Sequence, residues 1–253
     1  MHRWEIKGVF IYMGTSHKTS EVEKIFNELQ EQIISGVFPT GYRLVESQIA
    51  AQFGVSRTPA RLAIERLASI GLAEHTTNRG AIVHQPTFEE LRDLLHIRQV
   101  NEGLTARMAA EKCKPEDVTI LYDILDHMQT ALDVDDIHTY SALSSDLHSH
   151  IMDMAQSRFL TDFVLRIYMI TSRFHMAITS LPSRAEQSFQ EHRAIVDAIA
   201  AHDGDAADRA MVQHIEIIKR FFDNEQSRIF FQYRSAGASS THIQSEYSRH
   251  IVE

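Results

Sequence analysis

One cysteine, Cys113, stands in a chain of 253 residues. That scarcity excludes an internal disulfide framework and fits a reducing, cytoplasmic compartment. Long apolar runs are also missing, and no stretch approaches the length of a membrane-spanning helix. The apolar GVFIYM near the start is short and lacks a small-residue cleavage pattern, so it does not read as a signal peptide. Positive charge is not in excess either. The formal net charge is −9, which argues against generic coating of nucleic acid. Sequence-specific DNA binding stays open, because it needs few basic groups and these can be local. Helix breakers become rare after Phe88, the main ones being Pro115, Pro182 and Gly204.

Hydrophobic residues make up 43% of the chain, enough for real cores, and its length suits two modest domains. The charge is unevenly spread. Residues 21–86 carry six Lys/Arg and seven Asp/Glu, whereas residues 87–231 carry 14 and 24. The division expected from this is a lead-in over 1–20, a first domain over 21–86, a second over 87–231, and a Ser-rich tail over 232–253. The connecting segment VHQPTFEE is short, which implies coupled domains.

The first domain holds the most informative stretch, GVSRTPARLAIERLASIGLAEHTTNRGAIV, residues 54–83. Gly54 and Val55 suit a tight turn. Ser56 is a good N-cap, and Arg57, Thr58 and Pro59 suit the first helical turn, where proline's missing donor does no harm. Leu62, Ile64, Leu67, Ala68 and Ile70 supply an apolar face, leaving Arg57, Arg61 and Arg66 outward. Gly71 stops the helix, and a two-stranded hairpin follows with its tip at residues 77–80. The pattern predicts a winged helix-turn-helix. Arginine can grip a guanine edge with two hydrogen bonds, and hydroxyls and helix-end amides hold phosphates. Ser56, Arg57, Thr58 and Arg61 are therefore the candidate major-groove contacts, with Arg79 and Gly80 of the wing reaching the backbone or minor groove.

The wording EQIISGVFPTGYRLVESQIAAQFGVSRTPARLAIERLASIGL resembles the DNA-binding domain of the GntR family of bacterial transcription regulators. The matching elements are Ile34–Gly36, Pro39–Gly41, Leu44, Ile49–Ala50, Gly54–Pro59, Arg61, Leu67 and Gly71–Leu72. The resemblance runs over residues 21–84.

From residue 87 the pattern is helical almost without interruption. Helices are expected near 87–111, 115–133, 136–154, 157–180, 183–202 and 205–231, forming an all-α antiparallel bundle. Asp146 and His150 sit at i and i+4 and so share a face. His192 and His214 each occupy an otherwise apolar face of another helix. One carboxylate and three imidazoles from three helices can bind a divalent cation, with Zn, Ni, Fe, Co and Mn all compatible. A histidine on an apolar face is also, by itself, an ordinary packing residue. His148 lies two positions from Asp146 and is read as facing another way.

Residues 88–231 look like the FCD ligand-binding domain of the FadR subfamily. The matching phrases are IRQVNEGLTARMAA (97–110), DLHSHI (146–151) and EHRAIVDAIAAHDGDAADRAMVQHI (191–215). The resemblance implies that Asp146, His150, His192 and His214 bind a metal, although Ser149 stands where the family usually has an aromatic. The six-helix length resembles the shorter VanR-like branch. The resemblance also implies that Arg98 faces the cavity and pairs with an effector carboxylate, a reading that competes with an i,i+4 surface pair to Glu102. Arg173 is a second effector candidate.

Together these readings predict a mainly α protein: a winged helix-turn-helix followed by an FCD-like antiparallel bundle. It is expected to be a homodimeric repressor acting on a near-palindromic operator and answering to a small organic acid at the metal. A metal-dependent enzyme fused to a DNA reader is the rival, but Glu191 beside His192 is the one convenient base. A purely structural metal is the other alternative.

Overall fold

The computed structural model describes residues 20–76, 80–179 and 183–223, apart from side chains at several positions between 162 and 177 and at 221–223. The lead-in before residue 20, the tail, and the end of the last expected helix lie outside the described residues. The described chain separates into two compact units, divided between Leu91 and Arg92.

The first unit begins with α1 (Glu21–Ile34). Its N-cap Ser20 accepts from the Glu23 amide at 3.2 Å, and Glu21 and Glu23 complement the positive end of the helix. Ile25, Phe26, Leu29 and Ile33 form the buried stripe. A two-residue strand β1 (Arg43–Leu44) leads into α2 (Glu46–Phe53). Gly54 closes α2 in the left-handed region, φ 65°, where glycine has no Cβ penalty. Then follow α3 (Arg57–Ser69), β2 (Ala73–His75) and β3 (Ala81–Val83). The strands form an antiparallel sheet in the order β1-β3-β2, with Glu74 opposite Ile82 and Leu44 opposite Ala81. The hairpin was expected. β1 was not, because two residues carry no periodicity.

Two details of α3 differ from expectation. The inward stripe is Ala60, Ala63, Ile64 and Leu67, at i, i+3, i+4 and i+7, so Leu62 falls on the other side and is exposed. Arg66 does not face outward. It donates to Glu23 of α1, and its guanidinium lies 4.1 Å from the Phe26 ring centre, tying α3 to α1.

The second unit consists of α4 (Phe88–Lys112), α5 (Pro115–Asp133), α6 (Ile137–Met154), α7 (Arg158–Thr179), α8 (Arg184–Ala200) and α9 (Gly204–Asp223). These six helices fall where the breakers place them. Pro115 occupies the first turn of α5, and Asp136 caps α6 by accepting from the Thr139 amide at 3.0 Å. α5 packs on α6 and α8, and α7 on α6 and α8. The core runs through Leu121, Leu125, Met128, Tyr140, Leu147, Ile151, Val164, Phe189, Ile195 and Ile199. Gly103 sits where α4 meets α9. A Cβ there would lie 2.4 Å from the Asp208 carboxylate and 2.7 Å from a Val212 methyl, so the absence of a side chain lets the helices close. Gln99 stitches the same seam, donating to the Val212 carbonyl at 3.2 Å and to Glu216 at 3.0 Å.

Candidate metal centre and DNA-reading helix

Ser56, Arg57, Thr58 and Arg61 are all exposed at the N-terminal end of α3. Ser56 occupies the N-cap position, but its side chain makes no capping bond, so the hydroxyl is not engaged by its own helix end. Arg61 lies 3.6 Å from Glu65, an exposed i,i+4 pair of small energetic weight. Gly80 adopts φ 87°, and a Cβ on it would meet the Leu44 carbonyl oxygen at 2.7 Å. That close approach explains a glycine at the wing without any contact to DNA. Arg79 lies outside the described residues.

In the second unit the structure brings together His192 from α8, His214 from α9 and His148 from α6. Their ligand atoms all lie within 4.8 Å of one another, and all three are buried. The Nε2 atoms of His148 and His192 are 3.3 Å apart. The Nε2 of His214 is buried and has no hydrogen-bond partner. Asp146 and His150, which the resemblance implies as ligands, are not in this group. The inward stripe of α6 is Tyr140, Ser144, Leu147, His148 and Ile151. Positions 146 and 150 lie two residues to either side of His148, about 200° around the helix. His150 is half-buried with its Nε2 3.5 Å from Asp117 of α5. Asp146 is half-buried, and burial raises its carboxyl above the ordinary range. Reading the apolar stripe itself, rather than the i,i+4 pair, would have selected His148.

Two carboxylates back the triad. Glu102 of α4 accepts from the Nδ1 of His148 at 3.0 Å, and Glu191 of α8 accepts from the Nδ1 of His214 at 2.6 Å. Each carboxylate has its own arginine. Arg98 donates from Nε to Glu102 at 2.5 Å, and Arg184 grips Glu191 with two bonds of 2.8 Å. The hydroxyls of Tyr140 and Ser188 lie 3.4 and 3.5 Å from the Nδ1 of His192, and Ser144 Oγ lies 3.4 Å from its Nε2. Burial alone would raise the Glu102 carboxyl, but the charge of Arg98 and the bond from His148 hold it well below the usual range. Desolvation above all, with the Arg184 guanidinium nearby, holds His214 well below an ordinary imidazole. An unpartnered buried nitrogen facing other imidazole nitrogens is the donor chemistry of a site for a borderline divalent cation. These residues fit such an ion.

Arg98 is neither a surface residue nor a clamp free for a ligand. It is 3% exposed, pairs with Glu102, donates to Thr171 Oγ1 at 3.2 Å, and stands 5.0 Å from the Tyr168 ring centre. The side chain of Arg173 lies outside the described residues.

A winged helix-turn-helix unit followed by a six-helix unit with a buried polar centre is the architecture of a transcription regulator. The chain belongs to the GntR family: residues 21–83 match "Bacterial regulatory proteins, gntR family", and residues 93–217 match the FCD domain. It is 26% identical over 196 residues to the HTH-type transcriptional repressor RspR of Escherichia coli, covering 78% of this chain and 86% of the relative. It is 29% identical over 202 residues to the "Probable D-xylose utilization operon transcriptional repressor" of Paenarthrobacter nicotinovorans, covering 78% and 87%. Its fold is like that of E. coli McbR/YncC, with a TM-score of 0.70 at 19% identity over 81% of this chain and 98% of the other. The protein is a DNA-binding transcriptional regulator of a family of regulators, not of enzymes. No helix among the described residues is long and apolar enough to cross a membrane.

Proposed function

We propose that the protein is a cytoplasmic, homodimeric repressor whose operator affinity is set by a small organic acid bound at a divalent metal ion in the helical domain. The observation that carries the metal is the convergence of three buried imidazoles, with the Nε2 of His214 unpartnered. His148, His192 and His214 would hold the ion. A donor set without a carboxylate suits Zn, Ni or Co better than Mn. When bound, the ion would supply a Lewis-acidic anchor for a carboxylate. Arg98 is already paired with Glu102, so the anchor for the acid is the ion rather than that guanidinium.

On the DNA side, the exposed Arg57 and Arg61 would read base edges, with Ser56 and Thr58 at phosphates and Arg79 with Gly80 at the wing. The first domain carries no net positive charge, so one copy would bind DNA weakly, and two recognition helices would compensate. Exposed apolar residues support pairing: Ile97, Val100 and Leu104 line one face of α4 at i, i+3 and i+7, and Phe159 and Phe163 stand out on α7. If acid and DNA oppose each other, the coupling is reciprocal, so operator DNA weakens acid binding by the same factor.

The burial of all three imidazoles favours a second reading, an ion that only staples three helices. One experiment separates the two. Elemental analysis is done on untagged protein purified without chelator, beside His192→Ala, and operator binding is measured with and without malonate as a bidentate probe. About one metal per chain, lost in the variant, with weaker operator binding in malonate, supports the effector reading. Metal present with malonate and other chelating acids inert supports the staple. No metal in the wild type overturns both.

A further inference from the structure

The two Arg–Glu pairs beside the triad form the same device twice. On one side, Arg98 of α4 holds Glu102, and Glu102 accepts from the Nδ1 of His148. On the other, Arg184 of α8 holds Glu191, and Glu191 accepts from the Nδ1 of His214. The parts come from different helices, so one structural accident does not produce both. All six side chains are buried or nearly so, the most exposed being the Glu191 side chain at 14%.

A neutral imidazole carries one proton, on either nitrogen, and the partner of one nitrogen decides which. A carboxylate can only accept, so the nitrogen facing it must carry the proton. With Glu102 and Glu191 at the two Nδ1 atoms, the lone pairs of His148 and His214 are on Nε2, the atoms that face the centre. Each glutamate's charge is balanced by its arginine. The carboxylates therefore do not draw a cation to themselves and are not ligands.

We propose that Glu102 and Glu191 are positioning residues that fix the tautomers of His148 and His214, and that Arg98 and Arg184 fix the two carboxylates in turn. The consequence for the site is a charge one. The surroundings, two arginines and two glutamates, sum to zero, and an imidazole that ligates through its lone pair adds no charge. An ion held there keeps its double positive charge, and whatever completes its coordination must bring the negative charge. This inference rests on the metal reading above for its affinity arm, while its tautomer arm stands without any metal.

The test uses the full-length protein and two readouts. Long-range proton–nitrogen NMR on metal-free, ¹⁵N-histidine-labelled protein reads which nitrogen of each ring is protonated. Titration with Zn(II) alone, against a competing chromophoric chelator, reads affinity. In the wild type, His148 and His214 should each show a single tautomer with the proton on Nδ1. Glu102→Gln and Glu191→Gln should turn the matching ring into a mixture and weaken Zn(II) binding by about 10- to 100-fold, the effect usual for outer partners of metal-bound histidines. Should Glu102→Gln fail to fold with Arg98 left alone, the double variant Arg98→Met with Glu102→Gln removes the charged pair together and is read in the same way. Protons on Nε2 in the wild type, or unchanged tautomers and Zn(II) affinity in the folded variants, would overturn the proposal. A wild type with the expected tautomers that binds no Zn(II) overturns the metal reading instead.

Discussion

Arg57 and Arg98 use the same side chain in opposite ways. Arg57 is exposed at the start of α3. Arg98 is 3% exposed and has Glu102, Thr171 and Tyr168 around it. The contrast holds for the two units as wholes. The first keeps its informative polar groups at the surface, where a partner must complete them. The second folds its polar groups inward and completes almost all of them itself, leaving the Nε2 atoms of His214 and His150 without a hydrogen-bond partner among the described residues. Surface groups should therefore be changeable at little cost to stability and large cost to binding. The buried set should behave the other way round.

The largest effect expected is at the buried end. Arg98→Met leaves Glu102 and His148 in a dry site without the compensating charge. Loss of one partner of a buried pair costs about 3–5 kcal/mol, whereas removing both partners together costs much less. Urea unfolding of metal-free Arg98→Met and of the double variant with Glu102→Gln should show this order, and equal losses would break the comparison. Arg57→Ala should cost about 1–3 kcal/mol of operator affinity if it grips a guanine. Its unfolding midpoint should stay within about 0.5 kcal/mol of wild type. A matched loss of stability would show that the exposed arginine also holds the fold.

A third prediction concerns pH. His214 has its folded value pushed well below 6.5, so between the two values the unfolded chain binds the extra proton. Stability of the metal-free protein should thus fall as pH drops below about 6.5, by up to about 1.4 kcal/mol per pH unit for this one group. Unfolding midpoints at successive pH values check it, and a His214→Gln variant should show the shallower slope. The smallest effect is at the wing. Gly80→Ala must place a Cβ against the Leu44 carbonyl at a left-handed φ, costing about 1–2 kcal/mol. Thermal unfolding of the variant measures that cost, and no loss would mean that the wing relaxes freely.

Much of this architecture is written locally. Gly54, Ser56 and Pro59 mark the turn and the start of α3, and the breakers at Pro115 and Gly204 bound helices of the second unit. His192 and His214 stand out because their helix neighbours are apolar. The structure separates the i,i+4 pair of Asp146 and His150 from the triad for a physical reason. Helical spacing says which residues share a face, but only packing says which face points inward. Ser144, Leu147 and Ile151 carried that second message, and it names His148. Arg66 was misplaced in the same way, since its partners Glu23 and Phe26 lie on another helix. Glu102 and Glu191 as histidine partners were not legible at all, because their roles exist only once α4, α6, α8 and α9 have met. β1 is too short to announce itself and depends on β3 for its definition.

The triad draws one nitrogen from each of α6, α8 and α9, segments that an unfolded chain does not hold together. An ion seated there would close two long loops at once and would bind the folded form almost exclusively. By mass action, the folded fraction would then rise with free metal, by about 1.4 kcal/mol for each tenfold increase above the dissociation constant. The amount of intact regulator in a cell, and not only its occupancy, would follow the metal supply.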